Sequence, residues 1–279
     1  MSRPSEMNEL TRIVAATREA VAARRREHPD AAVHAAAASR PDGDRRGFRE
    51  ALSSPGLSLI AEHKRRSPSA GLIRDGVSLE EVVGAYEQGG ASALSILTEG
   101  PSFGGSLEDL RGARASAGLP ILRKDFIVDP YQVVESAAWG ADAILLIVAA
   151  LSEAELASLY ELAASHRLAA LVEVHDELEL ELAVRLGAEI IGINNRDLAT
   201  LAVDTRRTYE LLPRIPPGTV VVAESGFRER SELDELGRAG VDAVLVGEAL
   251  MRSADIETAC RALTHTGASS SSTSLDQPH

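Results

Sequence analysis

The sequence predicts an α/β fold: a (β/α)8 TIM barrel with an N-terminal helical extension and a disordered C-terminal tail. Three observations predict it. Eight short apolar runs alternate along the chain with segments of helical period. The runs lack strict apolar–polar alternation, as expected of parallel strands covered by helices on one side and filled on the other. A glycine-led tripeptide recurs as Gly90-Ala91-Ser92, Gly140-Ala141-Asp142, Gly187-Ala188-Glu189 and Gly240-Val241-Asp242, at intervals of 50, 47 and 53 residues. Each closes a helix and opens a strand, and glycine suits the left-handed position that ends a helix. Two strands and two helices used four times make an eightfold barrel. A doubly wound open sheet is the alternative, but eight strands in unbroken βα succession favour closure.

The elements follow in order. Residues 1–50 form the helical extension. Within it Leu10, Ile13, Val14 and Val21 recur at helical spacing, with Thr17 filling the turn, and predict an amphipathic helix near 8–26. Residues 27–45 contain Pro29, Pro41, Gly43 and an alanine run, and read as a loop with a weak helical turn. Residues 51–265 form the barrel domain. Its runs are Leu57–Ala61, Ala93–Leu97, Pro120–Leu122, Ala143–Val148, Ala169–Val172, Ile190–Ile193, Val220–Ala223 and Ala243–Val246. Between them helical period marks Leu79–Gln88, Leu107–Ser116, Pro130–Trp139, Glu153–His166, Glu177–Leu186, Arg206–Leu212 and Arg228–Arg238, and a final helix covers Glu248–Leu263. Residues 266–279 are Ser-rich and read as a disordered tail.

Composition narrows the function. A chain of 279 residues with 44% apolar and 25% charged side chains can bury one sizeable core, which rules out wholesale disorder. A net charge of −13 argues against holding nucleic acid through a broad basic face. Cys260 is the lone cysteine, so neither an intrachain disulfide nor a cysteine-cluster metal site is available. No apolar run approaches the roughly 18 residues of a membrane helix, and the start lacks the apolar segment of a signal peptide. The cytoplasm is the expected compartment. The histidines show no ligand spacing, so no metal is expected.

The basic residues are unevenly chosen. Of 29, only Lys64 and Lys124 are lysine. Arginine cannot exchange a proton near neutral pH, whereas burial and neighbours move a lysine into a useful range. Both lysines fall at strand ends, in Glu62-His63-Lys64 and Arg123-Lys124-Asp125. The other strand ends carry Glu173, Asn194-Asn195-Arg196, Glu224-Ser225-Gly226 and Gly247-Glu248. Barrel chemistry sits at the C-terminal ends of strands, so Glu62, Glu173 and Glu224 are expected to converge with Lys64 and Lys124 over one mouth. Such a set suits stepwise proton transfer; a structural ion-pair ring is the alternative. Side chains alternate along a strand, so Glu62 and Lys64 share a face and His63 turns to the helix layer.

Gly226 and Gly247, after the seventh and eighth strands, allow backbone N–H groups to approach a phosphate, and the Ser67–Gly71 loop adds hydroxyls from a third side. Phe103, Phe126 and Phe227 stand in or just after loops at the same mouth. They suggest an apolar or aromatic moiety beside the phosphate, or a plug on the barrel core.

These residues carry a resemblance. The stretches Ile60–Gly71, Leu97-Thr98-Glu99, Phe103–Ser106, Leu122–Gln132, Leu171–His175, Ile193–Leu198 and Ala223–Gly226 resemble the indole-3-glycerol-phosphate synthase family over about Leu57 to Arg252. The resemblance implies a carboxy-lyase that closes the ring of 1-(2-carboxyphenylamino)-1-deoxyribulose 5-phosphate and releases carbon dioxide and water, with no cofactor. It implies Lys124 as the acid for the ribulose carbonyl. Lys64 would hold the substrate carboxylate and help dehydration, and Glu62 and Glu173 would be the acid–base carboxylates. Asn194 and Glu224 would orient the substrate, with Arg196 and Ser225 lining the site. Ser67, Gly226 and Gly247 would contact phosphate, and Phe103, Phe126, Leu145 and Leu198 would surround the anthranilate ring. The expected partner is a small phosphorylated substrate, with no nucleic acid and no membrane, and the chain is read as a monomer. Three positions depart from the pattern: His63 replaces an apolar residue, Ser102 an aromatic one, and Glu248 the serine of some members. A lysine-dependent Schiff-base aldolase or isomerase on a phosphosugar is the alternative enzyme. A degenerate barrel kept as a binding module is the non-enzyme alternative.

Overall fold

A computed structural model describes residues 9–197 and 200–264. Eight parallel strands close into a barrel in sequence order: β1 Ser58–His63, β2 Ala93–Leu97, β3 Ile121–Lys124, β4 Ala143–Ile147, β5 Ala169–Val174, β6 Ile190–Asn194, β7 Val220–Glu224 and β8 Ala243–Val246. β1 pairs with both β2 and β8, which completes the ring. The apolar runs thus locate every strand. β1, β3, β5, β6 and β7 run one or two residues beyond them, because each carries a polar residue past the run that is still paired with a neighbouring strand. A short antiparallel pair, Arg66–Ser67 with Gly71–Leu72, folds the loop after β1 back on itself.

Two apolar shells hold the barrel. Ile60, Leu122, Leu145, Leu171, Ile190 and Val222 fill its interior, while Leu59, Leu94, Ile96, Ile144, Val172 and Ile191 face the helices. Burial of this size is the dominant favourable contribution to folding. The helices before the barrel are α1 Glu9–Glu27, α2 Asp30–Ser39 and α3 Phe48–Leu52. Phe48 and Leu52 plug the end at which the strands begin, where Ser58 Oγ also donates to Ala51 O. The remaining helices are α4 Leu79–Gln88, α5 Leu107–Ser116, α6 Pro130–Ala138, α7 Glu153–Ser165, α8 Glu177–Leu186, α9 Arg206–Leu211, α10 Arg230–Ala239, α11 Glu248–Arg252 and α12 Ile256–Thr264.

Two expectations need correction. Residues 27–45 are not mainly loop: α2 forms there, followed by a 3-10 turn at Asp42–Asp44. Val33 and Ala37, four residues apart, bury one face of α2, which packs on α6, and this adds tertiary burial to the helix propensity of its alanines. The final helix is broken between α11 and α12. Arg74 takes the carbonyls of Met251 and Ser253, and Asp255 Oδ1 accepts from Thr258 N at 3.0 Å, starting a new helix. The tail at 266–279 lies outside the described residues.

Arginine ties the extension to the barrel. Arg24 makes a two-pronged pair with Glu135 at 2.8 and 3.1 Å. Asp142, almost wholly buried, accepts from Arg40 at 2.8 Å, from the Arg46 and Ile121 N–H groups at 3.1 and 3.0 Å, and from Arg114. A planar fork that meets several acceptors at once is a task for guanidinium rather than ammonium, which accounts for much of the arginine bias. No described helix is long and apolar enough to cross a membrane.

Candidate active site

The C-terminal ends of the strands surround one cavity. Glu62 from β1, Lys64 just after it, Lys124 from β3, Glu173 from β5, Asn194 from β6 and Glu224 from β7 all line it. So do Arg196, Ser225, Gly226, Gly247, Phe103, Phe126 and Leu145. Strand pleating produces this convergence: Glu62 and Lys64 stand two residues apart on the inward face, and Asn194 is level with Glu224 across β6 and β7. His63, between the two inward residues, is 2% exposed and turns outward, with Arg65, Asp109 and Glu80 as its charged neighbours. Burial and then Arg65 push its imidazole down to about 4, so it is neutral.

Lys124 occupies the floor. Its Nζ is 2.9 Å from Glu173 Oε2 and 2.5 Å from Glu224 Oε2. Burial opposes its charge, but the carboxylates of Glu173, Glu224 and Glu62 outweigh burial and raise its proton affinity. Glu173 experiences the reverse: burial favours its neutral form, while Lys124 and His175 hold it anionic. Glu224 is pushed up to about 7, chiefly by burial, with Glu173 and Glu62 adding to it against the pull of Lys124. One ammonium is thus shared by two carboxylates of opposite poise. The second lysine, just past β1, pairs with a residue of that strand: Lys64 Nζ is 2.6 Å from Glu62 Oε1.

Glycines make room for these acids. A Cβ on Gly247 would stand 2.5 Å from Glu62 Oε1, and one on Gly192 would stand 2.3 Å from Glu224 Oε1. Gly226 has φ +100 and follows Ser225, a non-glycine residue at φ +62, so the turn after β7 is held in a left-handed conformation that exposes backbone to the mouth. Phe103 and Phe126 lie side by side in the same lining, ring centroids 6.4 Å apart and tilted by 37°. Asn194 Oδ1 accepts the Arg196 N–H at 3.0 Å, and Arg196 in turn donates to Leu201 O at 3.0 Å, which shapes the loop after β6.

A family model for indole-3-glycerol phosphate synthase matches residues 10–263. The chain belongs to the indole-3-glycerol phosphate synthase family. Indole-3-glycerol phosphate synthase of Rhizorhabdus wittichii is 46% identical over 258 residues, covering 92% of this chain and 98% of that one. Indole-3-glycerol phosphate synthase 2 of Streptomyces coelicolor is 46% identical over 254 residues, covering 91% and 98%. Among solved structures, a thiamine phosphate pyrophosphorylase of Pyrococcus furiosus superposes with a TM-score of 0.56 at 18% identity, covering 78% of this chain and 96% of that one. A tryptophan synthase alpha-subunit of the same organism gives 0.57 at 17%, covering 74% and 97%. At such identities these two show the barrel fold alone.

Several site residues expected from the family pattern behave differently in detail. Ser67 is not on the wall of the main cavity. It lines an adjoining hollow that shares Lys64, Phe103, Phe126 and Arg196 and is roofed by Glu9, Leu10 and Ile13 of α1. Leu198 lies outside the described residues. At Ser102, where the resemblance leads one to expect an aromatic residue, the loop after β2 is well held: the N–H groups of Ser102 and Phe103 both donate to Glu99 Oε2, at 2.7 and 2.9 Å. Glu248 reaches the cavity rim and pairs with Arg252 at 3.0 Å. Sequence reasoning passed over Gly192, whose role is only space. It also passed over His175 and Glu179, which stand behind Glu173. The Glu173-x-His175 spacing is visible in the sequence and sets two residues on a common strand face, while Glu179 reaches back from the first turn of α8 to His175, which precedes that helix.

Proposed function

We propose that the chain converts 1-(2-carboxyphenylamino)-1-deoxyribulose 5-phosphate to indole-3-glycerol phosphate, carbon dioxide and water. The observation that carries this reading is Lys124 held as an ammonium over the cavity floor between Glu173 and Glu224. Lys124 protonates the ribulose carbonyl oxygen as the anthranilate ring carbon attacks the carbonyl carbon. Loss of the carboxylate as carbon dioxide then restores the aromatic ring. The new hydroxyl leaves as water, with Glu62, Glu173 and Lys64 as the groups that remove and deliver protons. Lys64 also holds the substrate carboxylate until it leaves, and Asn194, Glu224 and Ser225 orient the chain of hydroxyls.

The phosphate rests on backbone N–H groups at Gly226 and Gly247, with Ser67 approaching from the adjoining hollow. Phe103, Phe126 and Leu145 receive the anthranilate ring, and Arg196 stands at the edge near the carboxylate. Each step is a proton transfer or a change at carbon that these side chains supply, so the proposed reaction takes no cofactor. The expected domain limits, an extension at 1–50 and a catalytic barrel at 51–265, fit this reading, since α1 roofs only the edge of the site.

A Schiff-base mechanism needs Lys124 as a free amine. The paired carboxylates favour the ammonium instead, which supports the acid role. Incubating the purified protein with the carboxyphenylamino-deoxyribulose phosphate should produce indole fluorescence and carbon dioxide in step. Failure of both would refute the reading, and a borohydride-trapped adduct on Lys124 would favour the Schiff-base class.

A further inference from the structure

We infer that His175, clamped by Glu179, is a positioning residue for Glu173: it pins Oε1 of that carboxylate so that Oε2 is presented to Lys124. The inference rests on the proposed role of Glu173 in proton transfer. Its geometry is independent of that role. Glu173 Oε2 is 2.9 Å from Lys124 Nζ, and Glu173 Oε1 is 3.3 Å from His175 Nε2. The second contact is bent away from a linear hydrogen bond, so it acts as an ion pair. On the far side of the ring, His175 Nδ1 is 3.0 Å from Glu179 Oε2, and the same oxygen accepts the His175 backbone N–H at 2.8 Å.

A ring with a carboxylate at each nitrogen is stabilised with both nitrogens protonated. Burial opposes the charge, but Glu173 and Glu179 overcome it and raise the imidazole to about 10. The titratable groups facing the ring are these two. Beyond Glu173 stand Lys124 of β3, then Glu224 of β7 and Glu62 of β1. The 3-10 turn Val148–Ala150, which packs on β5 and α8, brings no charge.

The consequence is asymmetric. When Lys124 gives its proton to substrate, Glu173 loses one cationic partner. His175 remains as the second, so Glu173 stays an anion and stays aimed. Without it, a wholly buried carboxylate would bind a proton itself and lose its hold on the amine. Glu179 lies outside the cavity lining and touches no substrate in the proposed reading.

Two measurements test this. In the unliganded protein, nitrogen chemical shifts of the histidine rings, assigned by difference from His175→Asn, should show His175 still an imidazolium at pH 8. A ring that is neutral at pH 8 overturns the inference, whatever the enzyme's activity. In steady-state kinetics, His175→Asn should lower kcat about tenfold or more while KM stays within about threefold. Its acid limb should move up by about one pH unit, because Glu173 has lost an opposing charge. Glu179→Gln keeps an acceptor for the backbone N–H but drops the charge, and should shift the limb the same way by less. It carries the test if His175→Asn fails to fold. Wild-type kcat and an unmoved acid limb in the folded variants overturn the inference alone. A wild-type protein without turnover overturns the proposed function, and the ring titration then still decides the positioning claim.

Discussion

Gly192 and Glu224 are matched in shape: a Cβ added at Gly192 would stand 2.3 Å from Glu224 Oε1. The two are not partners in the sheet. Gly192 pairs with Val222, and Glu224 with Asn194, so the Glu224 side chain folds back over β6 into space left by the missing methyl. There Oε1 is buried without a hydrogen-bond partner, while Oε2 meets Lys124 at 2.5 Å. An orphaned carboxylate oxygen favours the protonated acid, which is the direction burial pushes Glu224. Gly247, just after β8, likewise leaves room for the Glu62 carboxylate. Two of the three glutamates of the mouth are therefore seated by glycines on or just past a neighbouring strand.

Gly192→Ala should displace Glu224 and misplace Lys124. Leu171 Cδ1, 3.2 Å from the added carbon on the other side, blocks the easy escape. We expect kcat/KM to fall about tenfold or more, with stability reduced by about 1–3 kcal/mol, as overpacking usually costs. Steady-state kinetics beside urea unfolding checks both. Wild-type kcat/KM would show that the carboxylate position is immaterial.

Lys124→Met should reduce turnover about 100-fold or more and leave the barrel folded. The fold survives because Glu173 keeps His175 at 3.3 Å and Glu224, already raised to about 7, takes up a proton. Product formation and circular dichroism measured on the same sample check it. A variant with near-normal rate removes Lys124 from the mechanism.

Glu173→Gln separates chemistry from binding. The amide fills the same space but can neither accept nor hold a proton at that position. Turnover should fall about 100-fold or more, while Kd for the product, measured by fluorescence titration, changes only a few-fold. Equal losses in both would make Glu173 a binding residue.

The barrel and much of the site were legible because period and position carry them. Eight apolar runs mark eight strands, and the pleat then dictates that Glu62 and Lys64 point one way and His63 the other. Lysine scarcity marked Lys64 and Lys124 because ammonium and guanidinium differ in chemistry. What stayed hidden depends on tertiary contact. α2 is stabilised by burying Val33 and Ala37 against α6, which no local pattern announces. The hollow that Ser67 lines, beside the main cavity, is formed by the small hairpin at Arg66–Leu72 together with α1, a contact no local pattern announces. Gly192 could not be read because its contribution is an absent atom facing a residue 32 positions away.

His63 gives the protein an acid-sensitive point. Its ring is buried, and burial with Arg65 lowers it from 6.5 to about 4. Between these values the unfolded chain binds a proton that the folded one refuses, so stability falls as pH drops from 6.5 toward 4. His175 runs the other way: raised to about 10, its contribution is full below 6.5 and lost as pH rises through 10. Acid sensitivity in the lower window therefore belongs to His63 and not to His175. His63→Met keeps the volume and removes the titration. The wild type should lose on the order of 1–3 kcal/mol more than the variant between pH 7 and pH 4.5, read from urea midpoints at each pH. Parallel losses in the two proteins would mean that His63 takes up its proton in the fold as readily as in the unfolded chain.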